Sequence, residues 1–253
     1  MAEALSTKDT FSTALTTQLD SIGAALPAGF NKSRFVQNAL ALLNDNPDLA
    51  KYGKQQIIFV LMKGAILGLD FLNHEAYPVP YGNKLQYQTS YAGSVKLAKK
   101  YSIRPIKDIY AKIVREGDEF EEVIVNGEPT INFKPKPFND SKVVGAFAVC
   151  LFADGGIQYD TMSLADLENT RSHSKAKNSP AWSGFPGEMY KKTVLKRLCK
   201  HIEIDFENAD QRMIYDSENE VEDIKDQVED EIVQNANTEE FVEAEEVTDA
   251  PFM

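Results

Sequence analysis

The period of the apolar residues changes once, near Asp70, and that change constrains the fold more than any other feature of the chain. Before it, apolar side chains recur every three or four residues. Phe11, Leu15, Leu19 and Ile22 make a narrow amphipathic stripe that Pro27 and Gly29 close. A second helix is expected from a cap at Ser33 through Phe35, Val36, Ala39, Leu40 and Leu43 to the Asn-Asp-Asn-Pro break at 44–47. A third, residues 55–69, is apolar nearly all round and reads as the central buried helix.

After Asp70 the alternation is that of strands. Residues 76–81 and 84–89 flank Gly82-Asn83, a two-residue hairpin signal, and Pro78 with Pro80 makes the first strand an edge strand or an irregular one. A helix is expected at about 92–101, then strands at 106–115, 120–125, 130–134, 142–152 and 157–162. Asn126-Gly127 and Asp154-Gly155-Gly156 supply turns between them. Ser163 caps a short helix with Asp166 three residues on, a polar loop covers 171–183, and a basic helix covers about 188–202. This order predicts an α+β fold: N-terminal helices, a central antiparallel meandering sheet with hairpins, and a C-terminal basic helix.

Charge divides the chain differently. Of 39 acidic and 27 basic residues, 18 acidic residues lie between Asp205 and Met253, against only Arg212 and Lys225. The rest of the chain therefore carries a small positive excess. Beyond about Asn208 the composition is Glu, Asp, Asn and Gln with few aromatics, which cannot offset the entropy of ordering. A disordered acidic tail is expected there, with a weak helical pattern at Val221, Ile224, Val228 and Ile232 that could form on a partner. Three regions follow: an N-terminal helical arm at 1–32, suited to oligomerisation, a core at 33–207, and the tail at 208–253.

Several function classes lack their residues. No apolar run approaches the roughly 18 residues that span a bilayer, and MAEALSTKDT lacks the order of a secretory signal, so a cytoplasmic location is expected. Cys150 and Cys199 sit among apolar neighbours and read as small buried hydrophobes. No GxxxxGK[ST] loop is present to hold nucleotide phosphates, nor a GxSxG or HExxH motif. His74, His173 and His201 lack metal-ligand spacing. No cofactor, metal or enzymatic activity is expected, although Asp70, Glu75, Asp108 and Glu188 could be assembled by folding into a metal-dependent nuclease site.

The basic residues fall in three clusters, each with aromatic or amide neighbours, the mixture that single-stranded nucleic acid requires. In the first, Gln86, Gln88 and Ser90 alternate with Tyr87 along a strand, Tyr91 opens the next helix, and Lys96, Lys99 and Lys100 continue along it. The second is the loop segment Arg171-Ser172-His173-Ser174-Lys175, ending at the only tryptophan, Trp182. In the third, MYKKTVLKRLCKHI, the stripe Val194, Leu195, Leu198 and Ile202 opposes a ridge of Lys192, Lys196 and Lys200, with Arg197 beside it. Lys191 falls within the stripe, either snorkelling past the core or lying at the floor of a groove. The alternatives are a polar hairpin face, a mobile connection and a solvated basic helix.

Two stretches resemble a known family. GLDFLNHEAYPVPYGNKLQYQTSYAGSVKLAKKYSI is similar to the GLD, VPY, glutamine-aromatic-glutamine and YxG block of the RecT family of phage and prophage single-strand annealing proteins. RSHSKAKNSPAWSGFPGEMYKKTVLKRLCKHI is similar to its SxxSKA, tryptophan, EM and KKTxxRRL block, with Pro180-Ala181-Trp182 departing from Gly-Pro-Trp and Lys196-Arg197 from Arg-Arg. The resemblance implies a recombinase that binds single-stranded DNA without ATP, assembles into rings or filaments, and anneals complementary strands into duplex. It also implies partnership with a 5′ to 3′ exonuclease, and the acidic tail is a candidate dock for it or for a host single-strand-binding protein. The backbone grip is then expected from Lys96, Lys99, Lys100, Arg171, Lys175, Lys191, Lys192, Lys196 and Arg197. Gln86, Gln88, Ser90 and Ser172 would add hydrogen bonds, and Tyr87, Tyr91 and Trp182 stacking or wedging. A passive single-strand-coating protein remains the rival reading.

Overall fold

The structure, a computed structural model, describes residues 2–174 and 177–218. Three helices open it: α1 (Ala2–Ser21), α2 (Lys32–Asp45) and α3 (Lys54–Leu67), joined by 3-10 turns at Gly23–Ala25 and Pro47–Tyr52. Asn31, not Ser33, caps α2. Its side chain accepts the Arg34 N–H at 2.9 Å, and the preceding Phe30 packs on Phe35 with ring centroids 5.3 Å apart. Cap and hydrophobic staple together set the start two residues earlier than Ser33 would. The first segment packs on the next two, with Leu15 and Leu19 fully buried in the same core as α2 and α3.

The end of α3 is a tightly made corner. Gly68 adopts the left-handed conformation (φ 69°), which lets the Leu69 N–H reach Gly64 O at 2.8 Å. Gly64 itself lies under the Phe71 ring, where a Cβ would collide. Asp70 then holds the turn, accepting from the Leu72 N–H at 2.9 Å and from Asn38 Nδ2 at 2.6 Å.

Among the described residues the strands form three antiparallel sheets and not one meander. β1 (Ala76–Tyr81) and β2 (Lys84–Thr89) make a hairpin with Tyr81 opposite Lys84, Val79 opposite Gln86 and Tyr77 opposite Gln88. After α4 (Tyr91–Tyr101), β3 (Ile106–Arg115) pairs with β6 (Val143–Phe152), which pairs with β7 (Ile157–Ser163). Between β3 and β6 the chain makes a separate hairpin of β4 (Glu119–Val125) and β5 (Glu128–Lys134). This hairpin lies on one face of the larger sheet, its Phe120 and Phe133 meeting Phe147 at ring centroids of 5.3 and 4.9 Å. Helices cover the other face, and β6 is accordingly apolar on both sides.

A capping box of Ser163 and Asp166 starts α5 (Leu164–His173), a short α6 (Pro180–Gly184) carries Trp182, and α7 (Pro186–His201) packs against β6 and α4. The packed part does not stop at residue 207. Residues 209–218 form a further helix, α8. Its Gln211 is wholly buried and donates to Ile66 O at 3.0 Å and to the Tyr101 hydroxyl at 3.3 Å, and Ile214 is buried beside it. Asn208 caps α8 by accepting the Gln211 N–H. A composition dominated by acids hid two inward-facing residues. The remaining tail, including Val221 to Ile232, lies outside the described residues. No helix among the described residues is long and apolar enough to cross a membrane.

Candidate nucleic-acid interface

Pairing in the β1–β2 hairpin sorts its side chains into two faces. Leu85, Tyr87 and Thr89 point into the core, while Tyr77, Val79, Gln86 and Gln88 share the outer face. Tyr87 is therefore no stacking residue: it is 8% exposed, its hydroxyl lies 2.9 Å from Thr89 Oγ1, and burial with the nearby Glu218 carboxylate raises its phenol well above the usual range. Ser90 is also spent. Its hydroxyl caps α4 by accepting the Gly93 N–H at 3.0 Å, and it is buried.

The outer face does gather aromatic and cationic groups. Tyr77 is 42% exposed and Tyr91, at the first position of α4, 40% exposed. Partial burial and then the neighbouring Tyr91 raise the Tyr77 phenol. Lys192 of α7 places its ammonium 5.3 Å from the centre of the Tyr91 ring. His74, in the turn before β1, lies with its ring 6.0 Å from that of Tyr77 at an interplanar angle of 28°. Neither His74 nor Tyr77 stood out by residue type. The register across Gly82-Asn83, which puts Tyr77 opposite Gln88, is the signal that finds one of them.

Most of the other candidate cations are already engaged. Lys96 bridges Glu75 at 2.6 Å and Gly68 O at 3.0 Å, tying α4 to the end of α3. Lys99 pairs with Asp108 at 3.2 Å, and Lys100 with Glu207 at 3.3 Å. Lys191 snorkels, 29% exposed, to Glu188 at 2.5 Å. Arg197 lies 2.9 Å from Asp160 on β7. That Asp160 oxygen is inaccessible to solvent and makes no well-directed hydrogen bond. The contact is a charge pair with poor direction. Lys196 lies half-buried on the same helix. The exposed pairs, Lys99–Asp108 and Lys100–Glu207, contribute about 0–1 kcal/mol each, so a phosphate can displace those carboxylates at modest cost.

The second cluster is a knot around α6. Trp182, 4% exposed, packs edge-on against Tyr190 at 5.8 Å, and the Arg171 guanidinium lies 5.2 Å from the indole. Glu168 accepts from the Tyr190 hydroxyl and from Arg171. Burial, with Glu168 beside it, pushes the Tyr190 phenol up to about 12. Burial of the ring removes Trp182 as a wedge, and Arg171 closes the turn by donating to Lys177 O at 3.2 Å. Ser172 donates to Asn169 O and stays exposed, and Lys175 lies outside the described residues.

The four carboxylates set aside for metal chemistry stand apart. Asp70 and Glu75 share a turn, Asp108 pairs with Lys99 and Glu188 with Lys191. No cluster of three metal-ligating side chains occurs among the described residues.

A family model described as the RecT family matches residues 33–233. The chain is also 31% identical over 199 residues to protein RecT of Escherichia coli strain K12, an overlap covering 74% of this chain and 72% of that protein.

Proposed function

This chain belongs to the RecT family, and from that premise we propose that it binds single-stranded DNA and anneals complementary strands in recombination. The observation that carries the reading is the outer hairpin face, which presents Tyr77, Gln86 and Gln88, with Tyr91 near Tyr77 and Lys192 of α7 against the Tyr91 ring. Amides, exposed rings and a cation on one surface suit a strand whose bases are unpaired. Lys99, Lys100, Lys191, Lys196 and Arg197 would extend the positive track along α4 and α7, and Ser172 and Lys175 would add to the grip. Lys96 and Arg171 brace it.

Annealing requires a grip on the backbone that leaves the pairing edges of the bases accessible, and such a grip needs no nucleotide hydrolysis. We further propose an ATP-independent oligomer acting in the cytoplasm of a bacterial host. The tail would be a docking segment for a 5′ to 3′ exonuclease or a single-strand-binding protein. Heat-treated complementary oligonucleotides test the reading. The expected result is faster duplex formation without nucleotide, with a large particle seen by light scattering. Persistence of separate strands would indicate a coating protein, and magnesium-dependent shortening a nuclease.

A further inference from the structure

His74, Tyr77 and Tyr91 occupy positions that folding alone does not explain. Tyr77 lies on the face of β1 opposite the buried Ala76, and its ring is 42% exposed on the outer face where a polar side chain would serve the fold as well. His74 holds φ at 58°, a left-handed conformation that costs a non-glycine residue free energy. That backbone lays the imidazole alongside the Tyr77 ring, at 28° to it, while remaining exposed to solvent. Tyr91 opens α4 at the same edge and takes the Lys192 ammonium against its ring.

We propose that His74, Tyr77 and Tyr91 form a ledge on which unpaired bases of the bound strand stack, with Lys192 set to meet the phosphate next to the base held by Tyr91. The assignment rests on the single-strand-binding reading and adds to it the part of the ligand recognised, the π-face of an unpaired base. Flat side chains accept any base, so the ledge discriminates single strands from duplex and not one sequence from another. Gln88, directly across from Tyr77, is within the same face to hydrogen-bond a base edge or sugar.

Stacking and charge separate cleanly in experiment, because an uncharged ring contributes affinity without releasing counterions. The measurement is binding of an oligonucleotide carrying 2-aminopurine, with affinity read at several salt concentrations and emission read at saturation. Tyr77→Ala is expected to weaken single-strand binding roughly tenfold and to reduce the emission change, with the salt slope unaltered. Tyr77→Phe should behave as the unaltered protein. His74→Ala, which does not touch the core, should weaken binding by a smaller factor. Unfolding temperatures of all three should match that of the unaltered protein. If Tyr77→Ala keeps both affinity and emission change while the unaltered protein binds with a steep salt slope, the ledge is wrong and the backbone grip stands. An unaltered protein that binds no single strand overturns both.

Discussion

Lys192 and Arg171 show how differently two basic residues of the candidate clusters are used. Lys192 is exposed, rests on Tyr91 and has no carboxylate partner among the described residues. Arg171 is held by Trp182, Glu168 and Lys177 O. Lys192→Ala should therefore weaken DNA binding a few-fold and make the log–log salt slope shallower by about 0.7, the value for one phosphate on a single strand. Lys51→Ala, on the 3-10 turn Pro47–Tyr52 and outside the basic clusters, should change neither. Filter binding across a salt series checks both, and equal behaviour of the two variants would reduce the cluster to solvated surface. Arg171→Ala should lower the unfolding temperature as well as affinity, because it opens the knot around Trp182. Residue type alone marked Tyr87 and Trp182 as stackers. Only their burial, set by which strand face and which short helix carries them, removes them.

Among the elements, α4 depends on one glycine. Gly93 lies against the carbonyl of Glu75, so a Cβ there would collide with backbone that cannot give way. Ser90 and Gly93 together start the helix, which explains why a Tyr-Ala-Gly sequence follows the strand. Gly93→Ala should destabilise the protein by about 1–3 kcal/mol or more, lowering the unfolding temperature by several degrees in a circular dichroism melt. α7 and α5 meet at Tyr190, whose phenol is raised from 10.0 to about 12. A group that keeps its proton longer when folded stabilises the fold at lower pH, and that contribution is lost between about pH 10, where the unfolded chain ionises, and about pH 12. Melts from pH 8 to 11.5 should show stability falling above pH 10, and Tyr190→Phe should flatten that fall. Most strands and helices were legible because their apolar periods and turn residues are strong. The Asn31 cap and α8 were not. Ser33 has the same capping chemistry as Asn31, and α8 buries only Gln211 and Ile214 in an acidic segment.

For the whole molecule, charge and packing divide the chain at different places. Beyond residue 218 lie 13 acidic residues and one basic residue, Lys225, while α8 before it belongs to the core. Glu218, the last described residue, accepts from the Thr89 N–H and hydroxyl at 2.5 and 2.6 Å, which ties the end of α8 to strand β2. Removal of 219–253 should leave the fold intact and tighten DNA binding, most at low salt, by deleting a polyanion that competes for the basic track. Removal of 208–253 should destabilise it by stripping Gln211 from Ile66 and Tyr101. Comparing melts and DNA affinities of the two truncations at two salt concentrations decides this, and a shorter chain as stable as the longer one would exclude α8 from the core. The full-length protein should bind single strands with a salt slope steeper than about −1, since several phosphates must be neutralised at once. The sequence by itself determined the α+β class, most element positions, the acidic tail and the family. These reside in local periodicity, turn chemistry and short motifs, which act over a few residues. Only the tertiary structure decided which rings face solvent, which lysines pair with carboxylates and where the core ends. Each of those depends on groups far apart in the chain, such as Tyr91 with Lys192 or Gln211 with Ile66, brought together by burying a common apolar core.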